Sequence, residues 1–138
     1  MDKKLGKVAH IGIAVRSLEK AIPLYTQQFQ LKLIKKEMIE SQKITVALLQ
    51  AENIVIELIQ PTHEDCSVNR FMERFGEGLH HMAFSVENLD EKIEDVYKSS
   101  ELKLVDGKSH IGAHQSKISF IHPHSTMGVL IELIQMKE

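Results

Sequence analysis

The sequence predicts an α+β fold of two tandem βαβββ modules. Three observations predict it: a repeated strand that begins with histidine, a repeated five-residue segment, and one strand, helix, three-strand pattern common to both halves. His10-Ile11-Gly12-Ile13-Ala14-Val15, followed by Leu18, Lys20 and Ile22, matches His81-Met82-Ala83-Phe84-Ser85-Val86, followed by Leu89, Glu91 and Ile93, at a constant offset of 71. Ile56-Glu57-Leu58-Ile59-Gln60 recurs unchanged as Ile131-Glu132-Leu133-Ile134-Gln135, at an offset of 75. A run of five identities marks a duplicated unit. Module 1 covers about residues 7–60 and module 2 about 79–135, joined by a connector over 61–78 within one domain, 1–138.

Each element follows from local pattern. Residues 7–15 and 79–86 are short, apolar stretches rich in β-branched or aromatic side chains, which favour strands. Ser17 is a suitable N-cap for a helix over about 18–29, with Leu18, Ala21, Ile22, Tyr25 and Phe29 at helical spacing. Asn88 does the same for a helix carrying Leu89, Ile93, Val96 and Tyr97. Strands are expected near 31–39, 43–50 and 53–60 in module 1, and near 102–106, 116–122 and 128–135 in module 2. The connector contains Pro61, an acidic turn at Glu64-Asp65, and a short helix bearing Val68, Phe71, Met72 and Phe75 before Gly76 and Gly78. That apolar stripe reads as packing.

Bulk composition narrows the functions. With 17 basic and 19 acidic residues interspersed, no nucleic-acid partner is expected, and a small ligand is. The single cysteine, Cys66, excludes an internal disulfide, and Met1-Asp2-Lys3-Lys4-Leu5 lacks the apolar run of a signal peptide, so a cytoplasmic location is expected. The apolar run Ile54 to Ile59 is broken by Glu57 and falls far short of the roughly 20 residues of a membrane span.

The repeat carries chemistry because it carries charge. Along Ile54 to Ile59, alternation puts Glu57 on one face with Val55 and Ile59, and Glu132 shares a face with Leu130 and Ile134. A carboxylate among apolar side chains is costly unless it is paired, hydrogen-bonded or metal-bound. His10 and His81 open the matching halves, so two imidazoles and two carboxylates occupy equivalent positions. If the modules pack about a pseudo-twofold relation, the four side chains converge on one divalent ion: Fe, Co, Ni, Mn or Zn all accept such donors. His80 adjoins His81, but strand alternation sends neighbours to opposite faces, and the offset from His10 selects His81.

On these residues the chain resembles the vicinal oxygen chelate superfamily, which includes glyoxalase I, extradiol dioxygenases, methylmalonyl-CoA epimerases and bleomycin-resistance proteins. The stretches Gly76-Glu77-Gly78-Leu79-His80-His81 and His122-Pro123 through Gly128-Val129-Leu130-Ile131-Glu132-Leu133 most resemble the epimerase group. The resemblance implies a glyoxalase-like fold, a curved mixed sheet around a metal cleft. It also implies metal ligation by His10, Glu57, His81 and Glu132, a cytoplasmic homodimer, and an acyl-CoA thioester substrate.

The reaction so implied interconverts (R)- and (S)-methylmalonyl-CoA by 1,1-proton transfer through a metal-stabilised enolate, with Glu132 both ligand and base. Some epimerases place a second glutamate in the third strand. The matching stretch here, Gln42 to Leu48, has no acid, and Val46 aligns with that position. His114, Ser116, Lys117 and His122, in loops and at strand ends of module 2, are candidates for substrate contact. A glyoxalase I type lyase acting on a hemithioacetal would use the same ligands, but the acidic turn common before its last strand is absent. A non-enzymatic resistance protein would not need all four ligands. An iron dioxygenase needs two histidines and one carboxylate, which leaves Glu57 surplus.

Overall fold

The computed structural model describes residues 4–137, so residues 1–3 of the N-terminal segment considered above lie outside it. Among the described residues, eight strands and three α-helices follow in the order β1 Val8–Ala14, α1 Leu18–Pro23, β2 Lys32–Ile39, β3 Ile44–Gln50, β4 Val55–Pro61, α2 Ser67–Phe75, β5 Gly78–Ser85, α3 Leu89–Lys98, β6 His110–Ile111, β7 Lys117–Ile121 and β8 Ile131–Gln135. The strand, helix, three-strand pattern therefore occurs twice, with α2 in the connector. The chain divides into two compact units: His10–His80, and the segment before it together with His81 onward.

In the unit His10–His80, the strands run in the order β2-β3-β4-β1. β1 is parallel to β4, and β2, β3 and β4 form an antiparallel meander. Ala47, Leu49 and Leu58 turn one face of this sheet toward α1, where Leu18 and Val15 complete the core with Ala21, Ile22 and Tyr25 against them. Burying these aliphatic side chains is the main stabilising term, about 1.5–3 kcal/mol for each large one.

The expected helix over 18–29 changes character midway. After Pro23, which has no N–H to donate, residues Leu24–Gln28 form a π-helical turn, and Thr26 Oγ1 donates to the Ile22 carbonyl at 2.8 Å. The chain then leaves through Gln30 in the left-handed region, φ 57°.

The other unit repeats the plan. β5 is parallel to β8, which pairs antiparallel with β7, and β7 pairs with β6. α3 covers one face through Leu89 and Val96 against Ile121 and Leu133. The N-terminal segment is built into this unit: Gly6 N–H donates to the Ser85 carbonyl and Ser85 N–H to the Lys7 carbonyl, each at 2.9 Å, and Leu5 joins the α3 core. A Cβ on Gly6 would stand 2.8 Å from the Ser85 carbonyl oxygen, so this close approach requires glycine.

One expected strand is corrected. Residues 102–106 form no strand; Leu104 makes an isolated bridge to Ile121, and the short edge strand is β6, at His110–Ile111. Leu102 and Leu104 are apolar because they pack against the α3 core. The extended run ends at Asp106, whose carboxylate accepts from Lys108 N–H at 3.0 Å beside Gly107 at φ 73°.

Candidate functional site

Parallel pairing of the first and last strands of each module sets the His and Glu residues in register. In module 1, Gly12 is opposite Glu57, and His10 lies two residues before Gly12 on the same face. In module 2, Ala83 is opposite Glu132, and His81 lies two residues before Ala83. The chain between the histidine and the glutamate differs in length between modules, yet the register is the same. His10 Nε2 stands 3.7 Å from Glu57 Oε1, and His81 Nε2 stands 3.1 Å from Glu132 Oε1.

Burial makes these pairs unusual. His10, Glu57, His81 and Glu132 are 6%, 7%, 7% and 4% exposed, and among the described residues no other imidazole or carboxylate is buried. A carboxylate so removed from water needs a cation, a hydrogen-bond donor or a metal to offset its lost hydration. Two donors at about 2.1 Å from one ion stand roughly 3.0–3.4 Å apart in octahedral or tetrahedral geometry. Each His–Glu pair is close to that separation, and imidazole with carboxylate suits a divalent first-row ion. In its own unit, His81 also meets the edge of Phe120 at 5.8 Å between ring centroids, an aromatic wall that the sequence pattern did not single out.

The repeated segment has a second use, which explains its full length. Alternation sends Gln60 and Gln135 to the face opposite the glutamates. Gln60 Oε1 accepts from Leu18 N–H at 2.7 Å, and Gln135 Oε1 accepts from Leu89 N–H at 2.8 Å, so each glutamine satisfies a free donor in the first turn of its module's helix. Ser17 Oγ accepts from Lys20 N–H at 3.2 Å and Asn88 Oδ1 from Glu91 N–H at 3.1 Å, as expected of N-caps. His80 turns away from the His81 side and meets Phe71 of α2 edge-on at 4.8 Å.

The remaining candidates occupy varied settings. His114 lies in the loop before β7 with φ 56°. Ser116 is fully buried, and its hydroxyl donates to the Ala113 carbonyl at 2.8 Å, holding that loop closed. Lys117 pairs with Gln135, so it lies on the α3 face of its sheet, opposite Glu132; its Nζ meets Asp90 of that helix at 3.2 Å. His122 follows β7, where its Nδ1 accepts from His124 N–H at 3.1 Å and the two rings pack 4.9 Å apart. Register thus joins each histidine to its glutamate and leaves Lys117 on the far face.

The match of residues 9–120 to the Glyoxalase/Bleomycin resistance protein/Dioxygenase superfamily shows that the chain belongs to this family. Within it, the chain is 38% identical over 133 residues to the uncharacterized protein YqjC of Bacillus subtilis (strain 168), covering 96% of this chain and 94% of that one. It is 29% identical to the mitochondrial methylmalonyl-CoA epimerase of Mus musculus, covering 96% of this chain and 74% of the relative. The structure of a Streptomyces coelicolor methylmalonyl-CoA epimerase variant in complex with 2-nitronate-propionyl-CoA has the same fold, with 28% identity, 96% of each chain covered and a TM-score of 0.91. The expected glyoxalase-like fold is thereby established, and close relatives of the chain are methylmalonyl-CoA epimerases.

Proposed function

We propose that this protein is a metal-dependent epimerase that interconverts the (R) and (S) forms of methylmalonyl-CoA, acting as a cytoplasmic homodimer whose two modules form one working domain. The observation that carries the reading is the duplicated, buried His–Glu pair, the only buried imidazoles and carboxylates among the described residues. His10, Glu57, His81 and Glu132 hold one divalent ion, of the Co, Ni, Mn, Fe or Zn class. When bound, such an ion supplies positive charge against the thioester oxygen on which negative charge accumulates as the α-proton leaves.

The protein's own groups do the rest. Glu132 takes or returns the α-proton. Phe120, opposite Glu132 on β7, and Ile134 share its face and exclude water from the carboxylate, which strengthens its interaction with a charged partner. His10 and His81 are anchored on strands, so their imidazoles are held before substrate arrives. His114, Ser116 and His122 come from the loops of module 2 that the substrate's acyl end approaches; Ser116 acts there by shaping the loop, since its hydroxyl is already engaged. Lys117, on the α3 face, has no direct part in this scheme.

A glyoxalase-type lyase shares the ligand chemistry. The epimerase reading is favoured by the relatives, several of which are methylmalonyl-CoA epimerases over more than nine-tenths of this chain. The Glu132→Gln variant tests it. It should fold, while α-proton exchange on methylmalonyl-CoA, followed by NMR in deuterated water, falls by about 100-fold or more. Exchange at the unsubstituted rate would remove Glu132 from the mechanism.

A further inference from the structure

The face of the module 2 sheet that bears His81 and Glu132 can be followed strand by strand. β5 contributes His81, Ala83 and Ser85, and β8 contributes Glu132 and Ile134, since Ala83 is opposite Glu132 and Ser85 opposite Ile134. β7 contributes Ile118 and Phe120, opposite Ile134 and Glu132, and β6 contributes His110, opposite Ile118. His122 extends this face. Its backbone is extended, with φ −64° and ψ 132°, and its N–H donates to the Lys103 carbonyl at 2.6 Å, so strand alternation continues through it. Ile121 packs into the α3 core, which turns Phe120 and His122 to the other side. His122 thus shares a face with Glu132, one strand across and two residues along, roughly 8 Å between backbones.

None of these positions is a lysine or arginine, and the other polar side chains on the face are engaged. His81 pairs with Glu132 at 3.1 Å, Ser85 Oγ donates to the Lys7 carbonyl at 3.3 Å, and His110 Nε2 meets Asp106 Oδ2 at 2.6 Å. His122 differs. Its Nδ1 accepts from His124 N–H at 3.1 Å, so in the neutral ring the proton sits on Nε2, which has no partner among the described residues. With Nδ1 engaged, this half-buried ring offers a ligand an N–H and no lone pair. Such a group is unsuited to take a proton from carbon and suited to an acceptor-only group such as a carboxylate.

We infer that His122 selects a carboxylated thioester, its Nε2–H donating to the free carboxylate of methylmalonyl-CoA while Glu132 acts on the adjacent α-carbon. This rests on the epimerase reading. The α-carbon and the carboxylate carbon are directly bonded, so base and donor belong on neighbouring strands of one face, which is where β8 and β7 put them. A hydrogen bond to a charged acceptor contributes more than one to a neutral group, and a thioester without the carboxylate leaves the N–H to water. Discrimination therefore follows from a donor placed for one substrate group.

The structural alternative is that His122 only shapes the turn before β8, where its carbonyl accepts from Ser125 Oγ at 2.8 Å. Two thioesters that differ by the carboxylate separate the roles. Methylmalonyl-CoA and propionyl-CoA are titrated calorimetrically into Co(II)-loaded protein, each variant being checked for metal content and circular dichroism against the unsubstituted protein. His122→Ala should weaken methylmalonyl-CoA binding by about 10-fold or more and leave propionyl-CoA binding unchanged. His122→Gln, which keeps an N–H at comparable reach, should recover part of the loss. Equal loss for both thioesters, unchanged affinity for methylmalonyl-CoA, or no recovery with glutamine would each overturn the inference. Failure of the epimerase reading looks different: the unsubstituted protein would leave the α-proton of methylmalonyl-CoA unexchanged in deuterated water, and the inference would fall with it.

Discussion

Four residues carry most of the account, and their environment explains why two of them are carboxylates in apolar strands. The cost of burying Glu57 and Glu132 is tolerated where a cation arrives to offset it. A bound ion should therefore stabilise the fold: at a free concentration 100-fold above Kd the gain is about 2.7 kcal/mol. Thermal unfolding with and without Co(II) should show a rise in Tm that the His81→Ala variant loses, and equal Tm values in the unsubstituted protein would argue against a site. Asp65 offers a separate test of side-chain geometry. The Lys43 ammonium, hydrogen-bonded to Asp65 at 2.9 Å, holds its carboxyl below the usual 3.8, with Arg70 adding to the effect. A depressed carboxyl pKa stabilises the fold above its unfolded value, and that contribution is lost as pH falls through the folded pKa. An NMR titration should place the Asp65 midpoint below 3.8 and return it toward 3.8 in Lys43→Met; no change would contradict the assigned cause.

At the scale of elements, the repeated Ile-Glu-Leu-Ile-Gln strand joins site to scaffold. One face presents the glutamate, and the other packs leucine against the module helix and supplies the glutamine that receives its first N–H. Gln60→Ala and Gln135→Ala should each cost about 1 kcal/mol in chemical denaturation, and the double variant about the sum. No loss from either would mean that water replaces the glutamines without penalty. The strands and caps were legible because alternation and Ser17 or Asn88 are local signals. The error at residues 102–106 has the opposite cause: Leu102 and Leu104 are apolar for the sake of a distant helix, and a burial pattern alone does not say whether a strand partner is present.

For the molecule as a whole, duplication is the organising fact. Each module brings its histidine and glutamate into the same register on one face and places its helix on the other, so one sequence motif used twice gives each module a buried His–Glu pair. Among the described residues no helix is long and apolar enough to cross a membrane. The fold and the His–Glu pairs could be read from the sequence because the repeat exposed them; the loop contacts of Ser116 and the facing of Lys117 could not, since they depend on tertiary packing. The most direct test of the central claim is to follow the α-proton of methylmalonyl-CoA by NMR in deuterated water with protein loaded with one equivalent of Co(II). Loss of the α-proton signal together with interconversion of the two epimers is the expected result. A persistent α-proton, with turnover of the methylglyoxal hemithioacetal instead, would contradict it.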